Sequence, residues 1–179
     1  MININIRAFR VADICMVKHI NYTKKDMKTA SNSENEKLIR KVYSVAETKD
    51  SKLFTSLFTE DGYFYDVSAG VKYYGNDIGK TVDIYAKAFP DMHRELIEFY
   101  VKDEENLVVV ELTLNGTQNG PLELPVGTIP PTGKAMITPC CDVFHIENGK
   151  VKSFHCYTAG TIMLGQLGIL GNLGAVLQH

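Results

Sequence analysis

The residue best placed for proton chemistry is Asp142, in the run Pro139-Cys140-Cys141-Asp142-Val143-Phe144. A carboxyl held among apolar neighbours has its charged form desolvated, so its pKa rises. Such an acid can exchange a proton with a carbon acid or donate a hydrogen bond to an enolate. Phe144, two residues on, shares its strand face and is expected to offer an apolar wall to a ligand. His155 lies between Phe154 and Cys156, where a neutral imidazole could accept and return a proton. Glu111 shares a face with Val109, Thr113 and Asn115 by the period of two. That polar stripe either lines a cavity or meets a partner subunit. Tyr65 and Asp66 end an aromatic run, and alternation turns one of them inward. His93 follows Phe89-Pro90-Asp91 and reads either as a strand-start residue or as a ligand contact. Gln118 can hydrogen-bond a carbonyl but carries no proton at neutral pH.

Whether Asp142 and His155 act together depends on one hairpin. A two-residue Asn148-Gly149 loop pairs Glu147 with Lys150 and sets Asp142 opposite His155. A three-residue loop with glycine in the left-handed bulge pairs Ile146 with Lys150 and sets Asp142 opposite Phe154. The run Glu147-Asn148-Gly149-Lys150 suits the second loop well.

The elements that must position these residues are legible as patterns. Ser33 and Glu36 have capping-box spacing, and Leu38, Ile39, Val42, Tyr43, Val45 and Ala46 recur with helical period. A second helix is expected over about 51–58, then a turn at Asp61-Gly62 and short strands at 63–67 and 71–74. A third helix spans about 78–88, capped by Asn76 or Asp77, and Pro90 stops it. Four strand-like runs follow, at about 93–102, 107–116, 135–146 and 150–158. The Gly- and Pro-rich stretch 116–134 is too long for a tight turn and is expected to be a functional or partner-facing loop. Helices followed by an antiparallel run make an α+β domain. Residues 1–32 show no apolar period and are expected to be a poorly ordered extension; the domain is expected over 33–179.

Five segments carry a resemblance: Ala88-Phe89-Pro90-Asp91, Gly116-Thr117-Gln118-Asn119-Gly120, Pro130-Pro131-Thr132-Gly133-Lys134, the run from Asp142 to Lys150, and Gln166-Leu167-Gly168. In this order they resemble the SnoaL-like, or polyketide cyclase-like, family of the nuclear transport factor 2-like superfamily. The resemblance implies a cone in which a curved antiparallel sheet carries helices on its concave side around an apolar cavity. Founding members close a polyketide ring by an intramolecular aldol reaction without a metal or organic cofactor. The related ketosteroid isomerases keep a protonated aspartate near the position of Asp142. Two departures stand out. Gln118 replaces the family's histidine, and the run from Ser153 to Ala159 lacks the acid/base aspartate of the cyclases.

The 179 residues, 45% hydrophobic, suffice for one buried core. Net charge is −2; residues 1–30 hold six Lys/Arg and two Asp, +4, which leaves −6 for the rest. No general basic surface for nucleic acid or anionic lipid is expected, and no apolar run reaches the length of a membrane span. The cysteines, Cys15, Cys140, Cys141 and Cys156, show no CxxC spacing and read as reduced cytoplasmic thiols. No glycine-rich nucleotide loop, HExxH or GxSxG is present, so neither cofactor nor metal is expected. The resulting expectation is a cofactor-independent cyclase or isomerase acting on a small hydrophobic carbonyl compound. The alternative is a non-catalytic binding or dimerisation module of the same fold. A homodimer through the open sheet face is expected, since the valine-rich strand at 107–114 would otherwise be exposed.

Overall fold

The computed structural model describes residues 33–170. The extension expected over 1–32, Cys15, and the end of the domain at 171–179 lie outside the described residues. The chain opens with α1 (Glu34–Glu47) and α2 (Ser51–Ser56). Ser33 caps α1 by accepting from the Glu36 N–H, and the Glu36 carboxylate pairs with Arg40. The buried side of α1 is Ile39, Val42, Tyr43, Val45 and Ala46, the stripe that helical periodicity predicts.

The strands are β1 (Phe58–Asp66), β2 (Val71–Tyr74), β3 (His93–Lys102), β4 (Leu107–Thr117), β5 (Leu122–Leu124), β6 (Gly127–Ile129), β7 (Ala135–Glu147) and β8 (Lys150–Thr158). The main sheet has the order β2-β1-β8-β7-β4-β3, and β5-β6 is a separate hairpin. Neighbours run antiparallel except β1 and β8, which are parallel. Between β2 and β3 come a 3-10 turn at Gly75–Gly79 and α3 (Lys80–Ala88); α4 (Gly160–Gln166) follows β8. Neither Asn76 nor Asp77 caps α3; the 3-10 turn feeds it directly, without a side-chain cap.

The expected turn at Asp61-Gly62 is instead an irregular stretch inside β1. Phe58 pairs with Val151 and Tyr63 with Ser153, so residues 59–62 bulge opposite Lys152. Gly62 is needed there, because a Cβ would lie 2.9 Å from the Val151 carbonyl oxygen. The expected long loop at 116–134 contains the β5-β6 hairpin.

Alternation sorts the sheet into two faces. Val108, Val110, Leu112, Leu114, Met136, Cys140, Phe144 and Phe154 turn toward the helices and are buried. This is a curved α+β cone with helices on its concave side. No helix among the described residues is long and apolar enough to cross a membrane.

Candidate active site

The concave side encloses a chamber of about 50 Å³ lined by residues of every layer. Val42, Tyr43 and Ala46 come from α1, Phe54 from α2, and Thr81, Val82 and Tyr85 from α3. The sheet contributes Phe64, Asp66, Arg94, Leu114, Asp142, Phe154, Cys156 and Thr158. A second space, about 210 Å³, adjoins it and shares Asp66, Tyr85 and Thr158.

Asp142 is 2% exposed and lines the chamber. The Tyr43 hydroxyl donates to its Oδ2 at 2.8 Å, and the Cys140 thiol donates to Oδ1 at 3.2 Å. Burial pushes its pKa up from 3.8 to about 6; the bonds from Tyr43 and Cys140 offset part of that rise. Burial, and then the charge of Asp142, hold the Tyr43 phenol well above its ordinary value. The phenol therefore stays protonated as a fixed donor.

Asp66 is the second carboxyl on the chamber. Burial raises its pKa, opposed by the backbone N–H groups of Ala69 and Ser68. Ala69 N–H donates to Oδ1 at 2.9 Å. Of the pair Tyr65 and Asp66, the aspartate faces inward. Arg94, half-buried, also lines the chamber and forms an ion pair with Glu47 at 2.9 Å.

The expected partner of Asp142 is elsewhere. The turn is the two-residue form, with Glu147 paired to Lys150 and both Asn148 and Gly149 at positive φ (52° and 71°). The register then slips by one, because Val151 pairs with Ile146 while Ser153 pairs with His145. Lys152 is the extra residue. Asp142 therefore stands opposite Cys156, and His155 opposite Val143 on the outer face. The His155 Nε2 lies 2.8 Å from the Tyr63 hydroxyl, and its ring meets Tyr65 edge-on. Burial lowers its pKa. No Asp142–His155 dyad forms, and Tyr65 does not reach the chamber.

Four further expected site residues lie outside it. His93 is exposed at the start of β3, 3.4 Å from the Asn115 amide nitrogen. Glu111 is exposed on the outer face, in weak contact with the Tyr100 hydroxyl at 3.5 Å. Gln118 is fully buried but holds protein rather than ligand. Its amide donates to the carbonyls of Gly120, Ile129 and Pro130, and its oxygen accepts from Thr132 at 2.7 Å. Phe144 is a core residue packed between Tyr43 and Phe154. The site residues missed in the sequence are Tyr43, Tyr85, Arg94, Cys156 and Thr158. Tyr43 stood in plain sight on the buried stripe of α1, where its hydroxyl needs a buried partner.

A model of the SnoaL-like domain matches residues 39–154, well over half of the chain, and the chain belongs to that family. No curated protein matches the sequence. Solved structures share the fold. A protein of ketosteroid isomerase-like fold from Catenulispora acidiphila, in complex with trimethylamine, superposes with a TM-score of 0.62 at 16% identity. That match covers 74% of this chain and 92% of the other. A candidate SnoaL-like polyketide cyclase from Jannaschia sp. CCS1 gives 0.65 at 18% identity, over 75% and 91% of the two chains. IdmH from Streptomyces antibioticus, a candidate polyketide cyclase, gives 0.62 at 18% identity, over 76% and 99%.

Proposed function

We propose that this SnoaL-like chain is a cofactor-independent cyclase or isomerase that enolises a small hydrophobic carbonyl compound. The observation that carries the reading is the buried Tyr43–Asp142 hydrogen bond on an apolar chamber that Asp66 also lines. The two carboxyls sit in different environments, which divides their roles. Asp142 is the more deeply buried; burial raises its pKa to about 6, and it acts in its protonated form. It donates to the carbonyl oxygen and to the enolate that develops from it. Asp66 receives backbone N–H bonds that favour its ionised form. It takes the proton from the carbon next to the carbonyl. The enolate then has two outcomes. Its carbon attacks a second carbonyl of the same molecule, closing a ring as the new alkoxide takes up the proton that Asp66 removed, or Asp66 returns that proton at a different carbon, moving a double bond. Tyr43 orients Asp142, and the apolar walls exclude water.

The test is isomerisation of a β,γ-unsaturated ketone, followed by the ultraviolet absorbance of its conjugated product. Asp66→Asn and Asp142→Asn should each slow it about 10²–10⁴-fold, while a saturated open-chain ketone still binds. Ketone binding without turnover in the parent protein would favour the second reading, a binding module. The lack of a carboxylate anywhere on β8 speaks for that second reading.

Two further elements belong to the proposal. The outer sheet face exposes Ile97, Tyr100, Ile137 and Tyr157, and a second copy of the chain covers it. Free thiols at Cys140, Cys141 and Cys156 suit a reducing, cytoplasmic setting.

A further inference from the structure

The two adjoining spaces differ in size, and the difference speaks to the shape of the substrate. An apolar cavity of about 150 Å³ takes one benzene ring. The chamber at Asp142 is about 50 Å³, a third of that, while the outer space is about 210 Å³. A ring fused directly to the reacting carbonyl does not fit the inner space. A carbonyl on an open chain does. Asp66, Tyr85 and Thr158 line both spaces, so a chain leaving the chamber passes the proposed base.

The outer space is walled by apolar side chains. Leu124, Pro125 and Val126 of the hairpin form one side, and Met163 and Leu164 of α4 the other. The hairpin wall is held in place. Gln118 binds the carbonyls of Ile129 and Pro130, and Glu123 pairs with Lys87 of α3 at 2.7 Å. Val126 at its tip is 94% exposed, an apolar surface that a ligand chain can cover.

We propose that the substrate is linear around its reacting carbonyl: a small keto or acyl head seated at Asp142, followed by an apolar chain lying between the β5-β6 hairpin and α4. The inference rests on the reading that Asp142 receives a carbonyl, and it narrows the substrate class to open-chain compounds. Leu124, Val126 and Leu164 are then specificity-determining residues for chain length.

The test is calorimetric binding of straight-chain 2-alkanones of increasing length, beside a fused bicyclic ketone of equal carbon number. Affinity should rise about fourfold per methylene, the burial value of a CH₂ group, until the outer space is filled. The bicyclic ketone should bind at least about tenfold more weakly than its linear counterpart. Val126→Asp, at an exposed position that leaves the fold intact, should flatten the length dependence and spare the shortest ketone. Leu124→Gln should do the same from the other end of the wall. Equal binding of the bicyclic ketone, affinity independent of length, or variants that weaken short and long ketones alike would each overturn the inference. Binding is read without turnover, so the two readings fail separately. An active enzyme with a flat length series loses only the shape inference, whereas a steep series in a protein that turns nothing over loses only the catalytic reading.

Discussion

Replacing Asp142 by Asn tests the site through stability as well as rate. The carboxyl is buried, and its pKa is raised from 3.8 to about 6. The folded state therefore binds its proton more tightly than the unfolded chain does. Between these two values the folded protein holds more protons, so stability falls as pH rises. Below about pH 4 the group is neutral in both states and costs nothing. Above about pH 6 the full penalty is present: the pKa rise at about 1.4 kcal/mol per tenfold change in proton affinity makes about 3 kcal/mol. Asn keeps the shape and an oxygen that accepts from Tyr43, but it has no charge to desolvate. Urea unfolding of parent and variant across about pH 4–8 should show the variant gaining about 3 kcal/mol on the parent as pH rises through that window. Other carboxyls, Asp66 included, cancel in the difference. A difference that stays constant with pH would refute the argument, since it would mean that Asp142 titrates as it does in water. The same reasoning applies to rate. If catalysis uses protonated Asp142, kcat/KM of the parent falls as pH rises through about 6, and Asp142→Asn loses that limb along with most of its rate. A substitution that stabilises the fold while disabling the reaction marks a group kept for function rather than stability.

Three other outcomes are expected. Gln118→Leu removes four hydrogen bonds and leaves buried carbonyls without donors; it should cost about 1–3 kcal/mol in thermal or urea melts, and an unchanged melting temperature would mean that water replaces the amide. Ile137→Lys, at a position 64% exposed on the outer face, should shift the particle from dimer to monomer mass in light scattering; a parent protein that is already monomeric at micromolar concentration would dispose of the dimer. A chain beginning at Ser33 should melt within a degree or two of the full chain, because residues 1–32 carry no periodic apolar face; a large drop would show that residues 1–32 stabilise the domain.

Helices and strands were legible where a single period governed them. The stripe on α1, the stop at Pro90 and the hairpin signal Asn148-Gly149 each have a local physical cause, and each appears where that cause puts it. Asp142 was legible for a similar reason: an acid in an apolar strand must be buried, paired or both. The inward turn of Asp66 was open until pairing chose between it and Tyr65. Arg94 carried no signal, because a charged residue at the start of a strand reads as surface; its pairing with Glu47 spans elements far apart in sequence. Gln118 was read as a ligand contact because its amide can bind carbonyls. The carbonyls it binds are those of its own loop.

The misplacement of His155 has one origin, and it also explains the shape of the site. The extra residue on β8, Lys152, lies opposite the bulged residues 59–62 of β1. The two irregularities are thus neighbours, and the ion pair between Lys152 and Asp61 at 2.5 Å ties them together. Bulges bend a strand and increase its twist, so a paired set between two adjacent strands curves the sheet there. Beyond it the register resumes as Phe64 with Phe154 and Asp66 with Cys156. Parity then turns Phe64, Asp66, Phe154 and Cys156 to the concave side, and Tyr63, Tyr65 and His155 to the outside. Without the extra residue on β8, a two-residue turn would put His155 beside Asp142 on the concave face and move Phe154 and Cys156 out of it. The slip therefore exchanges a histidine for a thiol next to the acid. The chamber is left with two carboxyl groups and the phenols of Tyr43 and Tyr85 as its oxygen acids and with no imidazole. That composition suits proton transfer at carbon, where a desolvated carboxylate is a sufficient base, better than activation of water or of a hydroxyl nucleophile, where enzymes most often employ histidine.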